Sequence, residues 1–288
     1  MYGRPDIWWN AVDGLEPGLH FEGAYMNYLR KIDGTIWWNS RALSFTRYRP
    51  FEGQSWYEKT SPIDYSIQYE NILKRVSHKI GWGLQSRYID GYARHAAHLR
   101  YHLSRNSTLT TELVTQFRKR EGNRDYLFLP NEWSSFLTAG SMSTKQNAFV
   151  QITFDQNYQL LKGRGLLSIR LRSPLTYNYA YLQATAIQNN SWKKLDFRTR
   201  FFFRYGIGQD VPTESMVYLA GANPEEMMDR RWYRSQGIAP RDWSGYSTSG
   251  FSSLHAGGGM NLRGYNGYYA IDADEDGNLY LNYKGKSG

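Results

Sequence analysis

The feature that most limits what this chain can fold into is an alternation of apolar and polar residues held over segments of ten residues or more. "KLDFRTRFFFRYG" (Lys194 to Gly206) shows it well. Asp196, Arg198, Arg200 and Arg204 fall on one parity; Leu195, Phe197, Thr199, Phe201, Phe203 and Tyr205 fall on the other. Successive side chains of a strand point to opposite faces, so the segment predicts a strand with one ionic and one greasy face.

The same period recurs along the chain. "GLEPGLHFEGAY" sets Leu15, Leu19, Phe21 and Tyr25 against Glu16, His20 and Glu22. "PIDYSIQYENIL" sets Ile63, Tyr65, Ile67 and Tyr69 against Asp64, Ser66, Gln68 and Glu70. "KIGWGLQSRY", "TLTTELVTQFRK", "NAFVQITFDQNY" and "GLLSIRLRS" repeat the pattern, their polar sides carrying Glu112, Arg118, Asp155, Arg170 and Arg172. "GTIWWNSRAL" and "YNYAYLQATAIQ" have aromatics on both parities, and their Tyr, Trp, Thr and Ile content still predicts strands. "IDG" at 89–91 and "QNNSW" at 188–192 read as tight turns.

About ten strands result, each roughly twice the ordinary length of 5–6 residues. Residues 211–278 then lose the period and become rich in Gly, Pro, Asp, Arg and Met, which reads as one long loop before a last strand, "LYLNY". No low-complexity linker divides the chain, so residues 1–288 are expected to be one architecture.

Two environments explain the alternation. In a soluble β-sandwich the apolar face is the core and the charged face meets water. In a transmembrane barrel the apolar face meets lipid and the charged face lines the lumen. Long strands in tandem favour the barrel, because a strand tilted about 45° needs about 9–11 residues to cross hydrocarbon. So does the mixture of signs on the polar parity, where Glu16, Glu22, Asp64, Glu70, Glu112, Asp155 and Asp196 face Arg94, Arg118, Arg170, Arg172, Arg198, Arg200 and Arg204. Trp8, Trp9, Tyr25, Tyr28, Trp192 and Tyr205, near segment ends, suit interfacial girdles. A membrane-spanning helix is excluded, since no run of 18 apolar residues exists.

The loop contains "HAGGGMNLRGYNGYYA". Gly257, Gly258 and Gly259, followed by Leu262, Arg263, Gly264 and Tyr265, resemble the glycine-rich lead and [VL]-R-G-[FY] signature of the Omp85 superfamily. "WWNAVDGLEPG" and "LAGANPEEMMDRRWYRSQGIAPRDW" are similar to Bacteroidota barrels of that kind, which follow M1-like (gluzincin) metallopeptidase regions. The resemblance implies an all-β, sixteen-stranded outer-membrane barrel, a surface-antigen or BamA-like protein. About eleven to twelve strands would be present, with fragment ends at both termini. It implies that the loop folds back into the lumen, with Arg263 as its lock. It also implies that a chain entering from the periplasm crosses an odd number of times before that loop. A missing strand is therefore expected within "NEWSSFLTAGSMS" (131–143) or "FEGQSWYEKT". The implied roles are protein insertion or translocation, or anchoring of an upstream peptidase region. The expected partners are outer-membrane lipid, polypeptide cargo and periplasmic domains of the same chain. A secreted soluble β-sandwich that binds glycans through its surface aromatics is the alternative.

Other features read more plainly. "DADEDGN" offers Asp272, Asp274 and Asp276 at the spacing of a calcium loop, but Tyr283 stands where a bidentate Glu is required, so an acidic loop tip is expected. His95, His98 and His102 invite a metal reading at helical spacing; on a strand His95 points away from the other two. The acids of "PEEMMD" have no evident partner, and no zinc-peptidase, G-x-S-x-G or P-loop motif occurs, so no catalytic site and no cofactor are expected. The formal charge of +9 is dispersed among acids instead of clustered, which argues against nucleic acid as a partner.

Overall fold

The computed structural model describes residues 1–10, 14–25, 30–40, 62–89, 92–118, 146–160, 163–209, 211–212, 215–218, 225, 270–273, 279–282, 284–285 and 287. They are all-β. One antiparallel sheet holds eleven strands in sequence order, each hydrogen-bonded to the next. These are β1 (Tyr2–Asn10), β2 (Gly14–Tyr25), β3 (Arg30–Trp38), β4 (Ile63–Ile72), β5 (Ile80–Ile89), β6 (Tyr92–His102), β7 (Ser107–Arg118), β8 (Gln146–Leu160), β9 (Gly163–Pro174), β10 (Tyr179–Trp192) and β11 (Leu195–Gly208). β12 (Val217–Tyr218) pairs with β15 (Lys284–Gly285), and β13 (Ala270–Ala273) with β14 (Leu279–Asn282). Among the described residues β1 and β11 pair on one side only, and the sheet is not closed. No described helix is long and apolar enough to cross a membrane.

The strand missing from the sequence count is β1, and segments 51–60 and 131–143 lie outside the described residues. Pro5 hides β1 from a propensity reading, since proline cannot donate to a ladder; an edge strand tolerates it. "QNNSW" is also corrected. It completes β10, and the turn falls on Lys193 and Lys194, with Lys193 in the left-handed region at φ 54°. Pairing Trp192 with Leu195 keeps Phe201 and Phe203 in register with Ala186 and Ala184 on the apolar side, and a turn at the asparagines would break that match.

The two faces of the sheet are buried in the opposite sense to a soluble domain. On β2, Glu16 is fully buried while Leu15 and Leu19 are more than half exposed. On β4, Asp64 is fully buried and Ile63 exposed. Phe197, Phe201 and Phe203 are 51, 60 and 44% exposed, and no second sheet among the described residues covers them. The polar face is concave, since one cavity is lined from six consecutive strands, β6 to β11.

The mixed-parity aromatics of β3 now separate. Trp38 is exposed on the apolar face, whereas Trp37 turns to the polar face and donates Nε1 to Asp6 Oδ2 at 2.9 Å across β2. Trp8 is buried edge-on against Trp37 with ring centroids 6.4 Å apart, so it is no girdle residue; Tyr25, Trp192 and Tyr205 are exposed at strand ends. The Trp37 indole reaches Asp6 by lying over Gly18, where a Cβ would come within 2.6 Å of the ring and 2.5 Å of the Ile36 carbonyl. Gly18→Val should therefore destabilise the sheet by about 1–3 kcal/mol. A urea midpoint equal to wild type would refute that packing.

Connections are unequal at the two ends. One end has 26–29, 73–79, 103–106, 161–162 and 193–194; the other mixes the short connections 11–13, 90–91 and 175–178 with the long ones 39–62, 119–145 and everything after β11.

Candidate functional site

The chain after β11 returns to the polar face and is clamped there. β8, β9, β10 and β11 supply the clamp because their register aligns Gln151, Arg172 and Tyr181 in one row and Arg170, Gln183 and Arg204 in the next. Period two turns all of them to the same face. Arg172 is 5% exposed and makes a forked pair with Glu225, Nη1 to Oε1 at 3.1 Å and Nη2 to Oε2 at 3.0 Å. It also donates to Ser215 Oγ at 3.0 Å and Gln151 Oε1 at 3.2 Å. Ser215 Oγ donates to Glu225 Oε1 at 2.7 Å, and Arg204 Nη1 donates to the Ser215 carbonyl at 2.7 Å.

Aromatic rings complete the grip. The Arg172 guanidinium lies 3.7 Å from the Phe149 ring centre and 4.9 Å from that of Tyr181, and Arg204 lies 3.6 Å from the Tyr181 ring. A desolvated guanidinium over a ring gains on the order of 2 kcal/mol. Two further ties hold the strap. Val217 is buried in β12, and the Gly206 N–H of β11 donates to Ser287 Oγ at 2.9 Å, two residues beyond β15. Burial pushes the Glu225 carboxyl up; the charge and hydrogen bonds of Arg172, with Ser215 and Arg204, outweigh it and hold the carboxyl below its usual range.

The other predicted charges share this face. Arg94 lies 3.9 Å from Glu112 and donates to Gln85, and Glu112 accepts from Gln151 Nε2 at 3.0 Å. Arg100 reaches Glu70 at 3.4 Å across β5, where Gly81 and Gly83 leave room. Asp155 is half-buried beside Ser168. Asp196 accepts from Ser191 Oγ at 2.6 Å, and Arg198 and Arg200 are exposed near the Lys193 turn. Arg118 stands opposite Tyr92, and its side chain lies outside the described residues.

Some predicted groups do not converge. His95 sits on the apolar face, its Nδ1 2.9 Å from Ser86 Oγ, away from His98 and His102. Asp272 is in β13, opposite Tyr280, whereas Asp274 and Asp276 lie outside the described residues. So do Gly257, Gly258, Gly259, Leu262, Arg263, Gly264 and Tyr265. The acids of "PEEMMD" were expected to lack a partner, and that is corrected: Glu225 is clamped by Arg172 and Ser215. Tyr181, Ser215 and Gln151 were also missed. A signal existed in Asn223-Pro224-Glu225-Glu226, since Asn before Pro before acids favours a helix start, and Glu225 is helical.

A cation could find ligands at one place among the described residues. His20, Glu22 and Asp33 bring one ligand atom each within 4.8 Å of one another, with His20 Nδ1 held 2.9 Å from Thr35 Oγ1.

Beside the clamp lies a cavity of about 160 Å³, below the roughly 300–1,000 Å³ of sites for drug-sized ligands. Compared with known proteins, the chain matches no family model and no curated protein.

Proposed function

We propose that this chain contributes eleven strands of an outer-membrane β-barrel of the Omp85-like class, one that inserts or exports polypeptide. The observation that supports it is the inverted burial: Glu16 and Asp64 are wholly sequestered on one face while Leu19, Leu171 and Phe201 stand bare on the other. An aqueous solvent would favour the reverse. Strands of about 12 residues span roughly 40 Å, which at a tilt near 45° gives roughly 28 Å of height, matching a hydrocarbon layer near 30 Å. The confinement of the long connections, 39–62 and 119–145, to one end also suits such barrels. A sandwich would need a second sheet over the phenylalanines, and none is present among the described residues.

In this reading the clamp closes the lumen. The remaining cavity is too small for an extended peptide, so passage of a chain requires Glu225 to leave Arg172. If freeing Glu225 changes neither conductance nor cargo insertion, the barrel serves only as an anchor for an upstream peptidase region.

Site-directed labelling tests the membrane placement. The chain has no cysteine, so single cysteines at Leu19, Leu171 and Phe203 can carry a fluorophore without background. In lipid vesicles these labels should be quenched by lipid-borne spin labels and shielded from iodide, whereas a label at the Lys193 turn should respond to iodide. Strong iodide quenching at Leu171 in vesicles would end the proposal.

A further inference from the structure

We infer that the cavity beside the clamp binds a small dianionic oxyanion of the phosphate or sulfate class. Its lining carries Arg94, Arg170, Arg172 and Arg204 against Glu112 and Glu225, four cations to two anions and a surplus of two positive charges. Glu225 engages Arg172, and Glu112 lies by Arg94. Among the described residues neither Arg170 nor Arg204 belongs to an ion pair. Register places Arg170 and Arg204 on either side of Gln183, one row from Arg172. Three guanidiniums, two on β9 and one on β11, thus crowd one patch across β10 with a single carboxylate, Glu225, among them in the described residues, and like charges held close in a buried place repel.

The hydrogen-bonding surplus has the same sign. The Nε atoms of Arg170, Arg172 and Arg204 and the hydroxyl of Tyr181 are buried without a partner among the described residues, against one such acceptor on the lining, Gln116 Oε1. A ligand rich in acceptors and poor in donors answers that set, and an arginine fork suits an oxyanion. Water would satisfy individual donors and leave the charge. A dianion satisfies both. The cavity, at about 160 Å³, exceeds several times the roughly 30 Å³ a water occupies in the liquid. The site does not depend on what covers the apolar face. It lies on the clamp without replacing Glu225, so its occupant should tighten the strap.

The test is a titration of the native protein with sodium phosphate or sulfate, ionic strength being held constant with chloride, read by thermal midpoint and by calorimetry. We expect a saturable rise in midpoint, one oxyanion bound per chain, and no rise with chloride or acetate. Arg170→Gln leaves Arg172 and Glu225 in place and should weaken phosphate binding at least tenfold. Arg170→Lys should bind with intermediate strength, because it keeps the charge and loses the fork. Equal responses to phosphate and chloride would overturn the inference, as would an undiminished phosphate response in Arg170→Gln. An acetate response equal to phosphate would overturn the dianion assignment. The calorimetric stoichiometry on unmodified protein decides the matter even where a variant fails to fold.

Discussion

Replacing Glu225 with Ala is expected to free the returning strap and cost about 3–5 kcal/mol, because it strands a buried arginine. Arg172 would keep Gln151, Ser215 and two ring faces, but no counter-charge among the described residues within its reach. Arg172→Met should cost a similar amount by stranding Glu225. The double variant should lose well under the sum, since each change removes the partner that the other leaves exposed to desolvation. Denaturant midpoints give the coupling; trypsin cleavage at Arg230 and Arg231, just past Glu225, reports whether the strap is loose. Additive losses with no added cleavage would mean that the pair does not hold the loop.

The same pair predicts an acid sensitivity of definite sign. The Glu225 carboxyl titrates below its ordinary value in the folded protein, so its contribution is complete above the unfolded value, about 4.3. It fades as pH falls through the lower folded value. Between pH 5 and 3 the wild-type midpoint should drop further than that of Glu225→Gln, which has no proton to gain.

Leu171→Arg carries the second large effect, and it discriminates between solvents. Leu171 is 47% exposed on β9, in register with Ile152 and Leu182 on the apolar face. In a bilayer an arginine there should cost about 2–4 kcal/mol, depending on depth. On a face in water it would change stability by no more than about 0.5 kcal/mol. Folding equilibria of the wild type and variant, measured in lipid vesicles, separate the two. A cost near zero in vesicles would remove the lipid-facing assignment, and the proposed function with it.

How legible the fold was depended on the signal each element carries. β2, β4, β5, β7, β8 and β9 were readable because their parity is clean over nine or more residues. β1 was not, since Pro5 breaks its propensity and Trp8 stands on the polar parity, where it needs Trp37 for company. The β10–β11 turn was misplaced because two asparagines look like turn chemistry, while the pairing of Ile187, Ala186 and Ala184 with β11 set the register. Charges were easy to assign to a face and hard to assign to a role. Arg172, Arg198 and Arg200 look alike in sequence, yet Arg172 is sealed under Glu225 and the other two are exposed near a turn.

What the sequence determined alone is the division of each strand into an ionic and a greasy side, because period two is a local property of the backbone and needs no neighbour. Only the tertiary structure decided which residues clamp the strap. Glu225 lies 53 residues from Arg172 along the chain, and nothing local to either names the other. Their meeting follows from the order of eleven strands and the path of the chain back across them. A carboxylate becomes a partner where that path carries it into a buried row of guanidiniums.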